Sequence, residues 1–469
     1  MHVDLLDSNG TAPWSVRARE LVEGRSFVLV GIGVDQMRVF ERFGGFVRGA
    51  VSVVPAGGPS SEAFEAYPVI SLTGRTRNIF DFVVDDYATT LMDHVVEVSS
   101  FLDQVDPSRK ATVVSYLPAP RAMAGERTAW FPDVSLTREL EDKAKTSQLL
   151  EPELPSMPSE PVPTPLGRDA WDSACRRWGS SRLVLQRLGL NGGGRGTWIC
   201  NEFDSAVRLV SDEGPLKWSP FLEGEACNVM GVVLGANRTA AFPPSRQLID
   251  TGPNGQPVYA GNVFDDAWTD TELDEIAVEV KAFGRSLSAR GFEGPFGLDF
   301  IRRVDGQRTY HDINPRMNGA IDSLAFCLTE DTLQPLLVLV LGRRVWLSDE
   351  VRSLECQLRY ATRAYPVTRF FLSREIQERL CVDRPPAAGL WRVDVKYPRL
   401  EYVGASVEGS QTPVGDLALL RPVIAPGTSC EEGDRLVLGD LFCTGTLARE
   451  LRSLHRRDTQ GKLFDALLA

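Results

Sequence analysis

Gly294-Pro-Phe-Gly-Leu-Asp-Phe-Ile-Arg-Arg-Val-Asp-Gly-Gln-Arg-Thr-Tyr-His-Asp-Ile-Asn-Pro-Arg-Met-Asn-Gly319 is the stretch that decides the reading of this chain. It holds two extended runs, 298–303 and 308–313, joined through Asp305-Gly306, a strong short-range hairpin signal. A two-residue loop at that dipeptide places Asp299 directly across from Asp312. Two carboxylates so opposed destabilise a hairpin unless positive charge lies between them, and a hard cation fits that place. Asn314 lies two residues beyond Asp312 and shares its face, because strand side chains alternate. The expectation is an oxygen-only cluster of Asp299, Asp312 and Asn314, suited to Mg2+ rather than to zinc or copper. Arg316 and Asn318 carry the polar line past Pro315, where regular pairing must end, and an arginine beside a cation site points to a phosphate. The alternative is a surface hairpin whose aspartates face water. His311 is assigned to the opposite strand face and a structural role.

Outward from the hairpin, 469 residues are too many for one ordinary core, so two to four domains are expected. With 43% apolar and 24% charged residues the composition is that of a soluble globular protein. A formal net charge of -12 leaves no electrostatic footprint for nucleic acid. The richest apolar run, 333–341, is far too short to span a membrane and reads as a buried helix. The opening residues lack the basic and apolar regions of a signal peptide, so the cytoplasm is the expected location. The eight cysteines show no C-x-x-C pair, the four histidines no metal-ligand spacing, and no G-x-S-x-G elbow occurs.

Towards the start, residues 26–34 read as a buried strand entering a glycine turn, with a helix over 35–43. Gly31-x-Gly33 alone is a weak dinucleotide signal, since the third glycine and a placed acidic residue are missing. Strand-like pieces at 51–54 and 111–117 alternate with a helix over 87–102, the rhythm of a small open parallel sheet. A charged helix over 135–150 carries Asp142, Lys143 and Lys145. The run 151–165 then holds six prolines and reads as a stiff connection near a domain boundary.

Next come a helix over 169–178, a strand over 182–188, a glycine-rich loop, a strand over 198–200 and a helix over 203–210. Four glycines within 192–196 let backbone N–H groups close over phosphates, the alternative being a flexible hairpin tip. The loop lacks a G-K-[ST] ending and leads into a strand, so it is no P-loop. The proline-broken segment 217–225 reads either as an ordinary strand-turn-strand or as backbone with peptide groups free to read an adenine edge, and a strand follows over 226–234. The Pro/Gly-rich run 242–262 reads as a long surface loop and candidate lid. Thr269-Asp-Thr-Glu272 is a capping box opening a helix with apolar residues at 273, 276, 280, 283 and 287. A helix over 320–341 closes this unit, and 345–469 has the turn-rich texture of a β appendage in which no chemistry is visible.

In their order, these pieces resemble the ATP-grasp superfamily of carboxylate-amine ligases. The resemblance implies an α/β architecture: two α+β lobes clasping ATP over 135–344, divided at about 222–223, the glycine-loop lobe beginning near 166. A small open parallel α/β domain over 1–134 precedes it, and a β-rich C-terminal appendage over 345–469 follows. Asp142-Lys143 is similar to the start of the grasp fold, whose lysine contacts the α-phosphate. Gly192, Gly193, Gly194, Gly196 and Thr197 resemble its phosphate loop. In Ser219-Pro-Phe-Leu-Glu-Gly-Glu225, backbone at Phe221 and Leu222 would hold adenine and Glu225 the ribose hydroxyls. Gly297-Leu-Asp-Phe300 and 311–319 resemble the Mg2+ strands, with Asp312 where the family usually has glutamate, and Arg316 and Asn318 take catalytic places. Gln186 stands where the family usually carries a second nucleotide-binding lysine, so either ATP binding is weaker or Arg187 or Arg195 supplies that charge. The Gln186 strand, the proline linker and the C-terminal region further resemble the pheganomycin-type peptide ligases of actinobacterial secondary metabolism.

The implied activity is ATP-dependent amide or peptide bond formation through an acyl phosphate, releasing ADP and phosphate. Its partners are a small carboxylic acid and an amine or peptide acceptor, with no nucleic acid or membrane and a homodimer as the assembly to test. A rival is a nucleotide-binding regulatory or scaffold protein on the same fold. A biotin-directed carboxylase subunit is a third, though no biotin-attachment motif is visible.

Overall fold

The computed structural model describes residues 13–32, 46–54, 67–73, 84–115, 117–188, 194, 196–235, 238–252, 256–328, 348–375, 380–382, 386–387, 389–394, 399–404, 417–422, 428–430 and 435–453. The expected helix over 35–43, the run 333–341, and Gly33, Gly192, Gly193 and Arg195 lie outside them.

Phe27, Val28, Leu29 and Val30 are all fully buried, as a parallel strand covered on both faces requires. Their strand, Ser26–Gly31, is central to a five-stranded parallel sheet in the order Val69–Ser71, Phe46–Ser52, Ser26–Gly31, Thr112–Ser115, Thr128–Trp130. The helix expected over 87–102 is two, Val84–Asp93 and Val95–Val105.

The glycine-loop lobe is a four-stranded antiparallel sheet ordered Glu160–Pro161, Leu216–Pro220, Leu183–Arg187, Thr197–Cys200. Leu183, Leu185, Leu216 and Trp218 form its core with Trp171 from the helix Arg168–Trp178 and Ala206 and Val210 from Phe203–Glu213. Alternation therefore turns Val184, Gln186, Lys217 and Ser219 to the other face.

An eleven-stranded sheet carries the rest. From one edge it runs Arg308–Asn314, Gly294–Arg302, Glu225–Gly235, Ser245–Thr251, Pro257–Phe264, Val367–Glu375, Arg435–Cys443, Leu417–Pro422, Gly389–Asp394, Arg399–Gly404, with Arg238–Ala241 paired to Glu225–Gly235. The capping-box helix, Asp270–Ala289, covers one face with Leu273, Ile276, Val280, Phe283 and Leu287. Met230, Val232 and Leu234 on the other face join the core of the N-terminal unit.

Two expectations need correction. The run 242–262 is no lid: Ser245–Thr251 and Pro257–Phe264 pair antiparallel inside the large sheet, and Val263 and Phe264 are buried. The helix expected over 135–150 breaks into Val134–Leu140 and Thr146–Leu150, and the break carries Glu141, Asp142 and Lys143. The proline-rich run joins the lobes as well as separating them. Met157 N–H donates to the Tyr310 carbonyl at 2.7 Å, and Pro161 pairs with Lys217. No described helix is long and apolar enough to cross a membrane. Cys175, Cys200, Cys227, Cys327, Cys356 and Cys443 are free thiols.

Candidate active site

Asp299 does face Asp312 across the hairpin, by a route the sequence did not suggest. Arg303 N–H donates to Gln307 O at 2.9 Å and Gly306 N–H to Arg303 O at 2.9 Å. The loop is therefore three residues, 304–306, with Gly306 at φ +80°, a conformation a side chain disfavours. Alone, that extra residue would slip the pairing by one. A bulge at His311 adds one residue to the second strand and restores the register: Phe300 pairs with Tyr310, but Asp299 with Asp312 and Leu298 with Ile313.

The same bulge re-aims His311, which corrects its assignment to the opposite face. The ring shares its surroundings with Asp312, Lys217 and Lys143. Burial, with the two lysine charges, pulls the imidazole down to about 4 against the opposing pull of Asp312. On the outer side, Arg302 pairs with Glu272 at 2.5 Å, Arg308 with Glu279 at 2.9 Å, and Tyr310 Oη donates to Glu279 at 2.6 Å. These contacts bind the hairpin to Asp270–Ala289 and hold the aspartates in place.

Asp299 accepts from the amides of Asn228, Gln247 (3.2 Å) and Asn314 (3.2 Å). Burial, and next the Asp312 charge, push its carboxyl up to about 6. Asp312 goes the other way. Burial would raise it, but Lys143, hydrogen-bonded to its Oδ1 and only 1% exposed, more than offsets that and holds it below the usual carboxylate range. The pair therefore divides into one firmly ionised group and one that protonates easily.

The two carboxylates offer hard oxygen donors of the kind Mg2+ takes, while the three amides turn their NH2 groups to Asp299. Among the described residues no group of three or more His, Cys, Asp or Glu gathers for a metal. Asn314 reaches the cluster as a donor, its NH2 towards Asp299 and its oxygen accepting from Arg316 at 3.0 Å. Metal coordination through that oxygen requires the amide to turn over.

Arg316 lies beside the cluster, clamped by Nε (3.2 Å) and Nη2 (3.0 Å) to Glu141 Oε1. Glu141 is 1% exposed, and its Oε2 has no hydrogen-bond partner. Asn318 donates to Asn228 Oδ1 at 3.1 Å and accepts from the Ala320 N–H at 3.0 Å. The sequence reading missed Asn228, Gln247 and Glu141. A lone Asn in the otherwise apolar run 226–234 was a legible signal for Asn228; Gln247 was hidden inside the supposed lid.

Gly194 of the glycine loop lies against Pro257–Phe264: a Cβ there would overlap the Pro257 carbonyl, and Gly194 sits at φ +83°. Thr197 N–H donates to Gly194 O at 3.2 Å, and Gly196 O accepts from Arg187 N–H at 2.7 Å. Arg187 does not supply the charge that Gln186 lacks. Its guanidinium pairs with Glu213, and alternation points it away from the Gln186 face. Phe221 commits its N–H to Arg182 O (2.9 Å), with the Arg182 guanidinium 3.7 Å over its ring, and Leu222 follows half-buried. Glu225 is held between Arg246 and Arg302, both at 3.3 Å. It shares the face of Cys227 and Val229, so the structure does not bring it together with Asp299.

No protein-family model matches the chain, and no curated protein matches its sequence. Solved structures do match. An N5-carboxyaminoimidazole ribonucleotide synthetase in complex with ADP aligns with TM-score 0.57 at 11% identity, over 93% of this chain and 98% of its own. The ADP complex of the Staphylococcus aureus N5-carboxyaminoimidazole synthetase aligns with TM-score 0.55 at 12% identity, over 94% and 97%. The biotin carboxylase domain of Hydrogenobacter thermophilus 2-oxoglutarate carboxylase, bound to MgADP, ADP and bicarbonate, gives 0.56 at 12%, over 91% and 88%. At such identities the likeness shows the fold alone, and it is the ATP-grasp fold that those structures share.

Proposed function

We propose that this chain is an ATP-dependent, ADP-forming ligase that activates a carboxylic acid and joins it to an amine. One observation carries the reading: Asp299 and Asp312 stand opposed across a hairpin, and one of them is held ionised by a buried lysine. Phosphoryl transfer asks of a protein mainly positioning and charge neutralisation, and these are the groups that provide both.

In this reading Asp299 and Asp312 hold Mg2+, with Asn314 beside them, and the bound metal neutralises charge on the nucleotide's phosphates. Lys143 holds Asp312 ionised. Backbone at Gly192–Gly196 and Thr197 closes over the phosphates. Phe221 and Leu222 flank adenine, where the Leu222 peptide is the natural partner since Phe221 N–H is spent on Arg182. The acid's carboxylate attacks the γ-phosphorus, giving an acyl phosphate and ADP. The amine then displaces phosphate and gives up its proton to the leaving group or a nearby carboxylate. Arg316 and Asn318, joined to Asp299 through Asn314 and Asn228, would hold the transferred group. The finer reading, a cytoplasmic peptide ligase of secondary metabolism, draws on the proline linker and the Gln186 strand.

Purified chain offered MgATP with pooled acids and amines should release ADP and phosphate. Asp299→Asn and Asp312→Asn should each cut that release by at least about a hundredfold with the fold retained by circular dichroism. Release persisting in both variants contradicts the assignment. Nucleotide binding without turnover over a wide substrate set supports a regulatory protein instead.

A further inference from the structure

Lys217 lies on the face of its strand opposite the lobe's own core, yet it is only 7% exposed. The second lobe covers it: the charges that act on it are Asp312, Lys143 and Asp142. Among the described residues its Nζ makes no hydrogen bond or ion pair of its own, whereas Lys143 is spent on Asp312. The side chain is nearly buried while its Nζ keeps some solvent contact; an ammonium so placed without a direct partner is costly, and an arriving anion would take it. In the sheet register Lys217 stands directly opposite Gln186, and Gln186 in turn opposite Thr197, where the glycine loop ends. Directly opposed residues share a face at about 5 Å. The lysine therefore lies beside Gln186, within reach of the Asp312 charge.

Resting on the ligase reading, we infer that Lys217 is the glycine-loop lobe's phosphate-holding cation, supplying from the neighbouring strand the charge that Gln186 cannot. The ligand class is a nucleoside di- or triphosphate bound with a divalent cation. Lysine and glutamine have exchanged places across one rung of the sheet, and the charge reaches the cleft from either side.

The test is calorimetric titration of the full chain with MgADP, for wild type, Lys217→Met, Gln186→Lys and the double variant, alongside thermal melts. Lys217→Met should weaken binding by about tenfold to a hundredfold, the scale of a lost charge-assisted hydrogen bond. Its melting temperature should hold or rise, because a buried unpaired charge has gone. The double variant should recover binding to within a few-fold of wild type. Unchanged affinity in Lys217→Met overturns the inference and leaves the ligase reading standing. Weakened binding with a lowered melting temperature, or without recovery in the double variant, marks Lys217 as structural and also overturns it. A wild type that binds neither MgADP nor MgATP overturns both.

Discussion

Lys217 also makes a prediction about stability. Burial first, with the Lys143 charge, pulls its ammonium down to about 8, against the opposing pulls of Asp312 and Asp142. The groups facing it are Asp142 and Lys143 from the helix break and His311 and Asp312 from the hairpin. Of these, His311 and Asp312 are both shifted downwards, away from the alkaline range. Between pH 8 and about 10.4 the unfolded chain carries a proton on this lysine that the folded chain has lost, so its cost to the fold falls as pH rises. The cost is fully present below pH 8, at about 3 kcal/mol as an upper bound. Lys217→Met should therefore out-melt wild type at pH 7, and its advantage should shrink between pH 8 and 10. A difference in melting temperature independent of pH across that range contradicts the placement of this side chain.

Among the elements, the hairpin shows how much was legible and why the rest was not. Asp299 and Asp312 were legible because a turn dipeptide and two alternating runs set a pairing within a few residues. The three-residue loop and the bulge were not, because each displaces the register by one and their effects cancel at the aspartates. The strands of 242–262 hid behind Pro243, Pro244, Gly252, Pro253 and Gly255, which crowd the turn and mask the alternation. Lys217 was illegible for a different reason. Its meaning lies in facing Gln186, and no local pattern reveals which residues meet across strands that are not consecutive in sequence. The glycine loop carries its own prediction. Gly194→Ala places a Cβ against the Pro257 carbonyl at positive φ, a strain of about 1–2 kcal/mol before any overlap. MgADP affinity should fall by roughly tenfold with the far-ultraviolet spectrum unchanged; unchanged affinity separates the loop from nucleotide binding.

At the scale of the whole molecule, one sheet carries the aspartates at its edge and runs on into the C-terminal region. Pro257–Phe264 pairs with Val367–Glu375, which pairs with Arg435–Cys443. Arg369, 4% exposed, donates to the Gly319 carbonyl at 2.6 Å and pairs with Asp440 at 2.9 Å, so the C-terminal strands brace the turn that follows the hairpin. The region read from sequence as an appendage is thus continuous with the sheet that carries the aspartates, while its β-rich character is as expected. The proposed function turns on the two aspartates sharing a divalent cation with a nucleotide. Titration with Mn2+ in the presence of ADP, followed by electron paramagnetic resonance, addresses this directly. The predicted result is a nucleotide-dependent Mn2+ site in wild type that is lost in Asp299→Asn and in Asp312→Asn, both still folded. The same Mn2+ occupancy in wild type and both variants would contradict it.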